Sequence, residues 1–190
     1  LMQVGLLLHK QEQQQRVRAP ALPEPAALAQ AFLDGLPFEL TSHQLAALDE
    51  IEADLRRDVP MRRLLQGDVG SGKTVVALYC LLRTAEAGLQ GVLLAPTETL
   101  AAQHAETVAR LVGPLAPAEL VTAALTARER REALARLASG ETRIVVGTHA
   151  LLTGDVRFAA LGLLVVDEQH RFGVEQRDAL VRRAEHDGLA

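Results

Sequence analysis

Gly67-Asp68-Val69-Gly70-Ser71-Gly72-Lys73-Thr74 fits the pattern G-x-x-x-x-G-K-[ST] in full. An apolar pair, Leu64-Leu65, precedes it and helical spacing begins at Lys73, the strand–loop–helix setting in which such a loop holds phosphate. The glycines permit backbone angles that turn successive N–H groups inward around phosphate oxygens. The helix that follows adds its positive end. All eight residues of 67–74 are therefore expected to line a nucleotide site. In it Lys73 would reach the β- and γ-phosphates, and the Thr74 hydroxyl would ligate Mg²⁺. Composition sharpens the point: of 20 basic residues only Lys10 and Lys73 are lysine. A compact ammonium fits between phosphate oxygens where a planar guanidinium crowds them.

Downstream of the loop the chain alternates. Short apolar runs occur at Leu64-Leu65, Val92-Leu93-Leu94, Leu120-Val121, Ile144-Val145-Val146 and Leu163-Leu164-Val165-Val166. Stretches with helical spacing lie at about 73–87, 98–112, 127–138 and 174–186, the third opened by a capping box at Thr126-Ala127-Arg128-Glu129. Runs without in–out alternation suit strands covered on both faces, so the pattern predicts an α/β fold: a mostly parallel, doubly wound sheet with helices on both faces. The run 163–166 ends in Asp167-Glu168. Beside a phosphate loop, Asp167 would hold Mg²⁺ opposite Thr74, and Glu168 would orient and deprotonate an attacking water.

The remaining composition bounds the possibilities. The chain has 190 residues, 48% hydrophobic and 23% charged, as an ordinary globular protein does. A net charge of −4 gives no whole-chain sign of nucleic-acid binding. Cys80 is the only cysteine, which excludes an internal disulfide and a cysteine-based zinc site. No apolar run reaches the roughly 18–20 residues that span a bilayer, and Leu6-Leu7-Leu8 is too short for a signal peptide. A reducing cytoplasm is the expected location. Residues 1–18 read as a polar helix, and the prolines from Ala19-Pro20 to Pro23-Glu24-Pro25 read as a linker entering the domain proper near Leu36. His43, His104 and His149 show no metal-ligand spacing and read as structural.

Asp167-Glu168-Gln169-His170 resembles the DExH box of superfamily 2 helicases. Phe38-Glu39-Leu40-Thr41-Ser42-His43-Gln44 resembles their upstream glutamine motif, which implies that Gln44 reads the adenine edge. Thr41-x-x-Gln44 also has the form of a capping box. Ala95-Pro96-Thr97-Glu98-Thr99-Leu100 resembles motif Ia, and Val146-Gly147-Thr148-His149-Ala150-Leu151-Leu152 resembles motif Ib. In that group both hold the backbone of one DNA strand, so Pro96, Thr97 and Thr148 are implied DNA contacts. Gln169 and His170 would couple ATP to DNA. The finer resemblance, from about Leu36 to Arg182, is to the RecG branched-DNA helicases, carried by 67–74, 95–100 and Asp167-Glu168-Gln169-His170-Arg171-Phe172-Gly173-Val174-Glu175-Gln176-Arg177. Residues 122–125, Thr-Ala-Ala-Leu, depart from it: the family places a glycine where Ala123 stands.

The resemblance implies a first RecA-like, ATP-binding P-loop motor lobe over 36–190, with 1–35 leading from a DNA-splitting wedge domain. It implies ATP and Mg²⁺ as cofactors, with branched DNA, the wedge domain and a second RecA-like lobe as partners. A strand bearing a Ser/Thr-Ala-Thr motif normally lies between the phosphate-loop strand and the Asp167 strand. Without it the sheet is expected to be incomplete at the C-terminal end, and this chain alone to hydrolyse ATP negligibly. The transcription-repair coupling translocase is the runner-up, usually with a second Glu where Gln169 stands. A non-motor nucleotide switch is the alternative of another class.

Overall fold

Runs of consecutive apolar residues become strands here because both of their faces are covered. The computed structural model describes residues 21–168 apart from Ala26, Arg62, Val69 and Pro114. Its helices are α1 (Ala27–Asp34), α2 (Ser42–Leu55), α3 (Lys73–Glu86), α4 (Glu98–Leu111) and α5 (Ala127–Ser139). Its strands are β1 (Gln90–Leu94), β2 (Ala118–Val121), β3 (Ile144–Gly147) and β4 (Leu161–Val166), with a 3-10 turn over His149–Leu152. The strands form one sheet in the order β2-β3-β1-β4. Every pairing is parallel.

Alternation along each strand divides the core in two. Leu93, Ile144 and Val146 face α1 to α4, packing with Phe32, Ile51, Leu78, Leu81 and Val108. Val92, Leu94, Val121 and Val145 face the other way, against Ala133 and Leu137 of α5 and against Leu151. Each large apolar side chain buried this way contributes about 1.5–3 kcal/mol. Thr126 opens α5 with the reciprocal cap expected of it, and Gly140, at φ 76°, closes it in the left-handed conformation that glycine adopts without steric cost.

The sequence reading needs two corrections. Leu64-Leu65 is not a strand: residues 63–68 have no regular structure and Leu64 is 72% exposed. The reason lies in the sheet. β4 pairs with β1 on one side and with no other strand among the described residues, so the apolar pair has nothing to hydrogen-bond beside it. The proline-rich stretch, in turn, is not followed by open linker. Ala27–Asp34 is a helix built of good helix formers, with Ala29 and Phe32 in the core. The packed core therefore begins upstream of Leu36.

A buried charge network fastens that early segment. Arg83 of α3 is fully buried. It donates from Nε to Glu52 Oε1 (2.7 Å), from Nη1 to Glu86 Oε2 (3.1 Å) and from Nη2 to the Pro23 carbonyl. Tyr79 donates its hydroxyl to Glu52 (2.9 Å) and the Leu28 amide donates to Glu86 (2.7 Å). Burial first, then the Glu52 hydrogen bond, pushes the Tyr79 phenol well above its ordinary range. The expected helices over 1–18 and 174–186 lie outside the described residues.

Candidate nucleotide and nucleic-acid site

In a parallel sheet all strands end on one rim, and here that rim carries the chemistry. Leu94 stands level with Gly147 and with Val166, and Val121 stands level with Gly147. The residues that follow each strand are thus neighbours: Ala95-Pro96-Thr97, Thr122, Thr148 and Asp167-Glu168. Backbone bonds carry the register one step further, from Ala95 N to Gly147 O and from Asp167 N to Leu94 O, both 2.9 Å.

The phosphate loop reaches the same rim through α3. A Cβ added at Gly91 would meet the Leu81 side chain, and one at Gly162 would meet Leu89 and Thr84, so the C-terminal turns of α3 lie over the starts of β1 and β4. From Thr84 back to Lys73 the helix rises about 16 Å. From Gly162 to Asp167 the strand rises about the same distance. The helix runs against the strands, and its N-terminus comes out at the rim that bears Asp167.

Within the loop, Gly70 (φ 81°) and Gly72 (φ 79°) take left-handed backbone that side chains disfavour. Gly72 is also the N-cap of α3, with no side-chain cap of its own, so the first amides of the helix face outward. The Lys73 ammonium donates to the carbonyls of Gly67 (2.6 Å) and Asp68 (2.8 Å), tying the start of the loop to its end. A cavity of about 440 Å³ opens here, lined by Gln44, Leu65, Gln66, Gly67, Ser71 and Lys73 among others. Its size is that of a small-molecule site. Thr74 stands half-buried in the first turn of α3. Val69 lies outside the described residues.

Gln44 lies beside the loop, and its amide is engaged at both ends. Oε1 accepts from Thr41 N (2.8 Å) and Nε2 donates to Ser71 O (3.0 Å). The capping box and the nucleotide-site position are thus one residue. A side chain at Gly72 would collide with this amide, its Cβ 2.1 Å from Nε2. Gly72 is therefore required for its backbone angle, and a side chain there would displace the Gln44 amide.

The implied DNA contacts divide. Pro96 is half-buried and Thr97 exposed, and the Thr97 hydroxyl caps α4 by accepting from Leu100 N (3.2 Å). Thr148 is only 2% exposed and caps the 3-10 turn, so its side chain is not presented to a partner on the surface. His149, next to it, is exposed. At the residue that departs from the RecG pattern, Ala123 N donates to Glu98 Oε1 (3.0 Å), which joins the start of α4 to the loop after β2.

Two features escaped the sequence. Glu168 adopts a left-handed backbone with φ 47°, a conformation uncommon outside glycine and a frequent mark of functional sites. His104 Nε2 lies 2.8 Å from Asp167 Oδ2. The signal was present: His104 belongs to the inward stripe of α4 with Ala101, Ala105 and Val108, where a polar ring needs a partner. Gln169 and His170 lie outside the described residues.

The comparisons agree with this geometry. The model of the DEAD/DEAH box helicase family matches residues 41–187. The chain is 44% identical over 183 residues to the ATP-dependent DNA helicase RecG of Synechocystis sp., covering 96% of this chain and 22% of that protein. Against RecG of Mycobacterium bovis the identity is 48% over 169 residues, 83% of this chain and 23% of the relative. Against RecG of Treponema pallidum it is 47% over 180 residues, 94% and 26%. The chain thus spans about a quarter of the length of the curated relatives it matches. A structure of RecG bound to a three-way DNA junction has the same fold, with a TM-score of 0.79 at 39% identity, covering 87% of this chain and 23% of the other. The family model runs through both the phosphate loop and the acidic strand end, which the fold sets on one rim, and the chain accordingly belongs to the DEAD/DEAH box helicases.

Proposed function

We propose that this chain is the first, ATP-binding motor lobe of an ATP-dependent DNA helicase that remodels branched DNA. The observation that carries the reading is a complete phosphate loop and an acidic strand end on one rim of a parallel sheet, within a chain of this helicase family. The Lys73 ammonium and the α3 amides bind the phosphates. Gln44 serves the adenine side and, through Ser71, steadies the loop. The donors of Thr74 and Asp167, a hydroxyl and a carboxylate, are the hard oxygens that Mg²⁺ prefers. These two residues would hold the ion, which when bound supplies positive charge at the β- and γ-phosphates. Glu168 orients and deprotonates the attacking water.

DNA backbone lies along the same rim, at Pro96 and Thr97. Beside Thr148, exposed His149 is the better placed of the pair. The similarity to RecG, one structure of which holds a three-way junction, supports branched DNA as the substrate, and the cytoplasm is the setting that this reading implies. In the whole protein the residues ahead of the packed core lead from a wedge domain, the lobe extends from the α1 segment onward rather than from Leu36, and Gln169 and His170 couple it to DNA. A second RecA-like lobe completes the ATP site, and a further strand pairs the open edge of β4 and gives Leu64-Leu65 a partner.

A Lys73→Ala variant of the intact protein tests the nucleotide site. Loss of a charge-assisted phosphate contact is worth about 1.5–3 kcal/mol, so ATP should bind at least about tenfold more weakly in a fluorescence titration. Unchanged affinity would refute the phosphate role.

A further inference from the structure

We propose that His104 is a positioning residue for the acidic box, holding the Asp167 carboxylate in the orientation that Mg²⁺ binding needs. The proposal rests on the reading of Asp167 as a metal-side carboxylate. It starts from a polar ring in an apolar stripe. Ala101 and Val108 are fully buried against the sheet, and His104 sits between them on the same face of α4. Its Nε2 lies 2.8 Å from Asp167 Oδ2. An ionised carboxylate only accepts, so Nε2 carries the proton and donates it.

The backbone of Asp167 is already pinned, since its amide donates to Leu94 O at 2.9 Å. Side-chain rotation is the freedom that remains, and the imidazole removes it by engaging Oδ2. The donor is presented by a firmly packed helix. The side chains of His104 and Asp167 are 16% and 33% exposed, partly withdrawn from water, where a hydrogen bond holds geometry better than on an open surface. Hydrogen bonds that orient metal-binding groups typically change metal affinity by about 10–100-fold. α4 is also capped by Thr97, so this bond links the helix behind the proposed DNA contact directly to the acidic box.

The test uses the intact protein and a fluorescent ADP analogue, titrated with and without Mg²⁺. His104→Phe keeps the ring volume and drops the donor, whereas His104→Gln keeps an amide donor. His104→Phe should lose about tenfold or more of the Mg²⁺-dependent gain in affinity, with Mg²⁺-free binding and the melting temperature unchanged, and His104→Gln should restore most of it. Loss in both variants would show that the ring rather than the hydrogen bond matters, overturning the proposal. Asp167→Asn, measured in parallel, separates this proposal from the reading beneath it. If Asp167→Asn abolishes the Mg²⁺ gain while His104→Phe leaves it intact, the positioning role falls and the metal reading stands. If Asp167→Asn also leaves it intact, both fall. Nitrogen NMR of the His104 ring in the unsubstituted protein requires no variant to fold. A proton on Nε2 is expected, and a ring protonated at Nδ1 alone contradicts the proposal.

Discussion

Cys80 shows how far local environment sets chemistry at the scale of one residue. Burial pushes its thiol up to about 12. Raising an acid's value means the thiolate is scarce below it: at pH 8 the ionised fraction is on the order of 10⁻⁴, and the thiolate is the reactive form. A thiol reagent should therefore leave Cys80 unmodified in the folded protein at pH 8 and label it promptly in denaturant. Rapid labelling of the native protein would contradict the packing described for α3. Cysteine count alone excluded an internal disulfide and a cysteine-based zinc site and said nothing of reactivity. Geometry that depends on a single short motif was readable from sequence, as with the left-handed backbone of Gly70 and Gly72. Chemistry that depends on two distant segments meeting, as with His104 and Asp167 or Gln44 and Ser71, was not.

Among the elements, the capped helices and continuous apolar strands were legible because their signals are local: Thr126 with Glu129 for α5, or 144–146 for β3. Leu64-Leu65 was misread because a strand exists only beside a partner, and no local pattern reports whether one is there. α1 was missed because the prolines before it dominate the reading, while its anchor, Arg83, lies dozens of residues away. The two kinds of stabilisation differ in size. Thr126→Ala removes a cap and should cost about 1 kcal/mol. Arg83→Met leaves the Glu52 carboxylate buried without its main partner and should cost about 3–5 kcal/mol. Denaturant unfolding of the two variants checks the order, and equal losses would mean that the network does not anchor α1.

For the whole molecule, the fold explains how the chain brings its motifs to one place. The rim gathers loop, acidic box and exposed helix start, which is why motifs scattered along the sequence read as one machine. On the proposed reading a second lobe supplies arginines to the ATP site, and such arginines are typically worth about 10³–10⁵ in phosphoryl-transfer rate. The 190-residue chain alone should accordingly bind ATP with Mg²⁺ weakly and turn it over negligibly, as a phosphate-release assay would show. Robust DNA-stimulated turnover by the chain alone would contradict the division of labour. The central claim, that Glu168 on this rim activates water for a DNA-driven motor, is tested most directly by one comparison. ATP turnover by the intact protein, with and without branched DNA, should rise on DNA addition in the wild type and stay near background in Glu168→Gln despite preserved ATP binding. DNA-stimulated hydrolysis that survives in Glu168→Gln would contradict it.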